Sequence, residues 1–159
     1  MRTLALVGVA VLVGVGVWIL VDRDEAELAD RQGLVTHVAD GDTLRTRIGR
    51  STERVRLIGV DAPERGECYS TRSGELLREL AQGKVVRILG DRTQREGDWF
   101  GRLLAYVVLP DGIDAGEVLL ERGGAVVFET RPPFARHEVY AAAQAEAARA
   151  AAGIHGACR

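Results

Sequence analysis

The first apolar stretch of the chain runs from Thr3 to Val21 and contains no charged residue. As a helix these 19 residues would span about 28 Å, close to the roughly 30 Å hydrocarbon thickness of a bilayer. The stretch is longer than the apolar part of a typical signal peptide, and no small-residue cleavage site follows it. It predicts an uncleaved membrane anchor over residues 1–21, with a cleaved signal segment, and hence a secreted protein, as the alternative. Arg2 at the amino-terminal flank favours a domain outside the cytoplasm.

Residues 22–32 are rich in Asp, Glu and Ala and lack an apolar face, so they predict a linker. After the linker the pattern becomes that of strands. Residues 44–48 alternate well between apolar and polar positions, and residues 55–60 form an apolar run interrupted by Arg56. The predicted strands cover residues 34–38, 44–48, 55–60, 84–89 and 102–109. Five short strands predict a small barrel.

Three helices are predicted between and after these strands. The first has Leu76, Leu77 and Leu80 on one face and is followed by Gly83, a typical end signal. The second begins at Asp114, a good capping residue, and the third is Ala-rich. The predicted helices cover residues 70–82, 114–122 and the segment from Pro133 to Gly153. Strands first, with helices inserted and appended, indicate an α+β fold.

Composition limits the class of protein further. A chain of 159 residues that is 47% hydrophobic has enough material for one core, which we expect over residues 33–159. The net charge is −2, so the sequence predicts no global basic field of the kind that draws a protein to polyanions. The cationic residues are almost all arginine, because Lys84 is the only lysine. Any phosphate binding must therefore be local.

The chain has two cysteines, Cys68 and Cys158. In an oxidising compartment they can pair, which would close a loop of about 90 residues and stabilise the fold by roughly 4 kcal/mol in the chain-entropy model. The alternative is two unpaired thiols. Their spacing does not fit a zinc site.

Carboxylates and arginines recur at intervals that suit phosphodiester chemistry. Hard oxygen ligands suit a divalent cation, a free carboxylate can act as a base, and guanidinium groups match phosphate oxygens in pairs. The candidate residues are Asp40, Asp42, Arg56, Asp61, Glu64 and Arg102. Taken alone, Asp40-Gly41-Asp42 is also a typical hairpin turn. Arg56 is harder to explain as a surface residue, because an unpaired charge inside an apolar strand would be costly to bury.

Three segments of the chain resemble the signature segments of the staphylococcal nuclease (thermonuclease) family. They are Val38 to Leu44, Val55 to Glu64 and Phe100 to Tyr106, and their order and intervals match. The similarity covers about residues 34–157. It implies an OB-type five-stranded barrel with helices packed on it and a calcium-dependent phosphodiesterase acting on DNA or RNA.

The resemblance also implies roles for individual residues. Asp42, Asp61 and the backbone carbonyl of Ala62 would be the protein ligands of Ca²⁺, and Asp40 would lie just outside them. Glu64 would be the general base. The two guanidinium groups that hold the phosphate would be those of Arg56 and Arg102.

The chain departs from the family in the segment that carries nucleotide-contacting tyrosines, where it has Glu129 and Arg131. Trp99 could offer another stacking surface, although partial packing in the core is the more ordinary role. A catalytically inactive OB-type module that binds nucleic acid and is tethered to the membrane is the alternative function. The choice between DNA and RNA stays open, and we expect a monomer.

Overall fold

The structure is a computed structural model that describes residues 31–158. The predicted anchor over residues 1–21 and most of the predicted linker lie outside the described residues. Within residues 31–158, no helix is long and apolar enough to cross a bilayer. The first strand begins at Arg31, so the last two residues of the predicted linker belong to the barrel.

Five strands form a closed barrel, as the alternation of apolar and polar residues predicts. They are β1 (Arg31–Val38), β2 (Thr43–Ile48), β3 (Ser51–Leu57), β5 (Val85–Leu89) and β6 (Leu103–Val108), in the order β1-β2-β3-β6-β5. Neighbouring strands are antiparallel except β3 and β6, which are parallel. Two very short strands, β4 (Val60–Asp61) and β7 (Val126–Val127), pair with each other outside the barrel. Sequence periodicity missed this second sheet because two residues show no period.

The interior of the barrel is filled by the apolar positions of its strands. Leu44, Val55 and Val107 are fully buried, whereas Arg45 between the buried residues of β2 is exposed. A cross-section of branched side chains of this kind is what fills a small barrel. The alternation along β2 therefore decides which residues form the core and which face outward.

The described part of the chain has four helices, which lie around the barrel: α1 (Ser70–Ala81), α2 (Ala115–Glu121), α3 (His137–Arg149) and α4 (Ile154–Ala157). Leu76 and Leu77 of α1 are buried, as predicted. Asp114 caps α2 by accepting a hydrogen bond from the backbone N–H of Gly116 at 2.9 Å. A capping interaction of this type satisfies an N–H that the helix itself leaves unpaired. The three predicted helices are present, and α4 is an additional short one.

The third helix is shorter than predicted at both ends. It begins at His137, four residues after Pro133, because the intervening residues bond to the barrel side of the molecule. The N–H of Ala135 donates to Asp91 at 2.7 Å, and the buried ring of Phe134 fills the space above Gly59. A Cβ on Gly59, which has a φ of 70°, would lie 2.4 Å from that ring. Local propensity could not reveal these long-range contacts, so the predicted start of the helix was wrong.

A buried polar cluster attaches α3 to α2. The carboxylate of Asp114 accepts a hydrogen bond from the hydroxyl of Tyr140 at 2.7 Å and pairs with the guanidinium of Arg136. Burial raises the pKa of Tyr140 well above its usual value, with the nearby carboxylate acting in the same direction. The phenol therefore remains protonated and donates its hydrogen bond at every ordinary pH.

Candidate active site

The turn between β1 and β2 is held by the side chain of Asp40. Its Oδ1 accepts hydrogen bonds from the N–H groups of Asp42, at 3.1 Å, and Thr43, at 2.8 Å. The turn packs so closely on α1 that a Cβ on Gly41 would lie 1.9 Å from Oγ of Ser73. Asp40 therefore shapes the turn, and Gly41 lets it approach the helix.

The next carboxylate, Asp42, is almost completely buried at 3% exposure. Its Oδ2 accepts a hydrogen bond from the N–H of Ala62 at 2.9 Å, and its Oδ1 accepts one from the Thr43 hydroxyl at 2.9 Å. Oδ1 also pairs with the guanidinium of Arg56. Burial raises the pKa of Asp42 to about 6, against the lowering effect of Arg56. Burial therefore favours the neutral form of this carboxylate, and the guanidinium of Arg56 favours the charged form.

Arg56 joins the two aspartates that the family resemblance implies as metal ligands. Besides pairing with Asp42, its Nη2 donates to Oδ1 of Asp61 at 2.9 Å and to the carbonyl of Val60 at 3.0 Å. The Arg56 side chain is only 16% exposed, while that of Asp61 is 48% exposed. The expectation that a charge in this apolar strand needs a partner is met by these two carboxylates.

Arg102 reaches the same end of the barrel from the other direction. Its Nη1 lies 3.5 Å from the hydroxyl oxygen of Thr43, which itself contacts Asp42. Asp98 fixes the arginine by accepting from its Nε at 2.6 Å and from its backbone N–H at 2.9 Å. Sequence reasoning missed Asp98, although its position four residues before Arg102 was visible in the chain.

Glu64 is exposed on the loop between β4 and α1 and does not contact the arginines. Its backbone N–H donates to Oε2 of Glu67 at 2.8 Å, and no hydrogen bond or ion pair joins its carboxylate to a side chain of residues 31–158. It does line the same open cleft, of about 730 Å³, as Asp61 and Ala62. The structure therefore brings Asp42, Arg56, Asp61 and Arg102 together and leaves Glu64 at the edge of that group.

The disulfide between Cys68 and Cys158 also lines this cleft. Its Cα atoms are 5.8 Å apart, a normal separation for a disulfide. The predicted pairing is confirmed. The bond ties the loop that carries Glu64 to the residue after α4, beside His155.

The donor set is compatible with a hard divalent cation. Asp42 and Asp61 are carboxylates around one guanidinium, and the N–H of Ala62 donates to the first of them. The backbone carbonyl of Ala62 is the third ligand that the family resemblance implies. Within residues 31–158, no group of three or more acidic, His or Cys side chains could hold a metal. Calcium accepts carbonyl oxygens and waters beside carboxylates, so two aspartates suit it better than they suit zinc.

The structure places Trp99, and it places Glu129, which stands in the segment where the family carries nucleotide-contacting tyrosines. Trp99 is 86% exposed with the guanidinium of Arg95 4.5 Å from its ring centre, so the expected core packing was wrong. Phe100 is 72% exposed and lies 5.4 Å from the guanidinium of Arg102. Glu129 pairs with His137 at 3.0 Å and is not part of an aromatic surface. Two exposed rings therefore lie in the segment before Arg102, and the segment around Glu129 carries one exposed ring, that of Phe128, which is 51% exposed.

A closed five-stranded barrel with helices packed on it, and with two carboxylates and two guanidinium groups at one end, defines an OB-type α+β class of protein. The family model described as Staphylococcal nuclease homologue matches residues 54–155. The chain belongs to this family.

Three relatives illustrate the similarity. An "Uncharacterized endonuclease" from Escherichia coli O157:H7 is 36% identical over 101 residues, which are 64% of this chain and 63% of the relative. A "Micrococcal nuclease" from Shigella flexneri is 34% identical over 101 residues, 64% of this chain and 56% of the relative. A "Thermonuclease" from Staphylococcus intermedius is 30% identical over 123 residues, 74% of this chain and 71% of the relative. The chain spans less than two thirds of the length of the first two.

Proposed function

We propose that this chain hydrolyses phosphodiester bonds of DNA or RNA in a calcium-dependent reaction. The observation that carries the proposal is the bridge made by Arg56 between Asp42 and Asp61, with Arg102 3.5 Å from the threonine that contacts the first aspartate. Membership of a family whose relatives are named nucleases gives independent support.

The two arginines have donors available for a phosphate. The two terminal nitrogens of Arg56 contact Asp42, Asp61 and the Val60 carbonyl. These contacts use three of the five N–H donors of the guanidinium and leave two for a ligand. Arg102 uses Nε on Asp98, and its Nη1 lies 3.5 Å from the Thr43 hydroxyl, which leaves Nη2 for a ligand. Two forks of this kind stabilise the extra negative charge that a phosphate gains in the transition state.

Asp42, Asp61 and the carbonyl of Ala62 would hold the calcium ion. When bound, the ion would neutralise phosphate charge and lower the pKa of a bound water. It would also stabilise the ionised form of Asp42, whose pKa burial raises to about 6.

Glu64 would accept the proton of the attacking water. Its carboxylate is exposed in the cleft and unpaired with the arginines, so it is free to act as a base toward a water that enters with the substrate. A positioned carboxylate base contributes on the order of 10² to 10⁴ in rate. Catalytic contacts often tighten only when substrate binds, so the separation of Glu64 from the arginines is compatible with this role.

The proposal is tested by cleavage of single-stranded DNA and RNA by the full chain in a nonionic detergent, with Ca²⁺ or with EGTA. We expect cleavage with Ca²⁺ alone, and a loss of roughly 10² to 10⁴ in kcat for Glu64→Gln. Arg102→Ala should lose about 10² to 10³ in kcat because one charged donor is removed.

Matched controls come from α1. Glu79→Gln and Arg78→Ala make the same charge changes at exposed positions outside the site and should keep full activity. Binding of the strands without any cleavage in Ca²⁺ would instead indicate the inactive binding module. Equal losses in the control variants would show that the charge changes act nonspecifically.

The disulfide motivates a proposal about location. Disulfides persist in oxidising compartments and are rare in the cytosol, so we propose that the domain works outside the cytoplasm. Alkylation of the native protein before reduction should label neither Cys68 nor Cys158. Labelling of both would contradict this location. Membrane anchoring through residues 3–21 and the monomeric state stay predictions.

A further inference from the structure

The outer face of β2 and β3 carries a line of arginines that ends in the candidate active site. Residues 43, 45 and 47 lie on one face of β2, and their cross-strand partners on β3 share that face. Arg45 is directly opposite Arg54, and Arg56 is opposite Thr43. Arg45, Arg47 and Arg54 are exposed and are called the arginine track below.

The track has no counter-charge. Among residues 31–158, no acidic side chain forms an ion pair with Arg45, Arg47 or Arg54; Arg54 instead donates to the backbone carbonyl of Phe100. Like charges directly opposite each other destabilise an antiparallel pair. Elsewhere on the surface arginines do have acidic partners, as Arg72 has. In a chain of net charge −2, three unpaired guanidiniums on one strand pair are a local cationic surface.

The track is continuous with the site. Two residues of a strand advance about 7 Å. The pair Arg45 and Arg54 is therefore two residues, about 7 Å, from the position of Arg56 along the strands, and Arg47 is four residues, about 14 Å, from it. The track therefore extends for about 14 Å from a guanidinium that is itself only 16% exposed. A ligand that follows the track must pass from an open face into a recess.

We propose that the arginine track binds the sugar–phosphate backbone of a single nucleic-acid strand and leads that strand to Arg56. This inference rests on the proposed function, because it assigns the path by which a polynucleotide reaches the scissile position. The two rows of arginines are about 5 Å apart, one strand spacing. A surface that narrow matches one backbone, whereas the two backbones of a duplex lie across grooves of about 6 to 12 Å. Guanidinium contacts to phosphate carry no base sequence, so the track binds all sequences.

The test is the salt dependence of binding by Arg45→Gln/Arg47→Gln. The affinity for a labelled twelve-nucleotide oligothymidylate is measured by fluorescence anisotropy, with the full chain in detergent and EGTA. Each lost phosphate contact lowers the slope of log K against log salt by about 0.7 for a single strand, so the double variant should lose about 1.4. The affinity gap between variant and wild type should then shrink about sevenfold between roughly 50 and 200 mM salt.

Arg78→Gln/Arg122→Gln is the matched control, because it removes two exposed arginines from α1 and from the residue after α2. It should keep the wild-type slope. The proposal is overturned if the track variant also keeps the wild-type slope of log K against log salt. It is overturned as well if the slope decreases equally in both double variants. Specific loss of binding to anionic phospholipid vesicles, with oligonucleotide binding unchanged, would overturn it in favour of a membrane surface.

Cleavage separates this inference from the proposed function. With Ca²⁺, the track variant should raise KM for the twelve-residue strand and leave kcat/KM for a dinucleotide at the wild-type value, since a dinucleotide does not reach the track. A wild-type chain that cleaves neither substrate would refute the proposed function, while the anisotropy slopes would still decide the track.

Discussion

Removal of the disulfide should destabilise the domain strongly. Cys68 and Cys158 are 90 residues apart, so the bond closes most of the described chain into one loop in the unfolded state. The chain-entropy relation gives an entropy of about −15.5 cal/mol/K for a loop of this length, or about 4.6 kcal/mol at 25 °C. A domain of this size typically has only about 5 to 15 kcal/mol of stability. Cys68→Ser/Cys158→Ser should therefore lose a large fraction of its free energy of unfolding.

The assay is urea unfolding of wild type and of the double variant, each with and without dithiothreitol. Wild type should lose about 4 to 5 kcal/mol on reduction, and the variant should not respond to the reductant. The loop that carries Glu64 is fixed at Cys68, so reduction should also lower kcat/KM under conditions where the domain stays folded. A loss below about 1 kcal/mol would refute the loop-entropy reasoning. A response of the variant to dithiothreitol would mean that the reductant acts elsewhere.

Two other substitutions test the contacts that hold the site and the helices. Gly41→Ala should destabilise the protein by about 1 to 3 kcal/mol in urea unfolding and disrupt the site, because the added Cβ would lie 1.9 Å from Oγ of Ser73. An unchanged urea midpoint would contradict the close packing of the turn. Tyr140→Phe should lower the free energy of unfolding by about 1 to 3 kcal/mol, because the buried carboxylate of Asp114 loses a hydrogen-bond donor. An unaltered free energy of unfolding would show that another donor replaces the phenol.

The barrel was predictable in part, because some of its strands carry a local signal of their own. The alternation over residues 44–48 is a local property, and the interior side chains it selects are those that the closed sheet buries. The start of α3 was not predictable in this way. Its position depends on a hydrogen bond from Ala135 to Asp91, 44 residues earlier, and on the ring of Phe134 packing over Gly59. Contacts of that separation leave no trace in local periodicity.

In the candidate site, too, some features could be anticipated from local sequence and others depend on contacts between distant segments. A charge inside an apolar strand requires a partner, so the pairing of Arg56 could be anticipated from its neighbours. The clamp of Asp98 on Arg102 could not, because it exists only when the loop before β6 folds back on itself. The position of Glu64 depends likewise on a loop, which is fixed at one end by a disulfide. Residues on strands were therefore placed more securely by sequence than residues on loops.

The charges at this end of the barrel are poorly explained by stability. A buried pair such as Asp42 and Arg56 often stabilises a fold no better than apolar residues of similar size. Burial raises the pKa of the aspartate, while the guanidinium of Arg56 acts in the opposite direction. The opposed arginines Arg45 and Arg54 repel each other on the adjacent outer face. Under the proposed function, a polynucleotide that enters with a divalent ion would bring positive charge to the aspartates and cover the arginines with a polyanion, so both features would become favourable together.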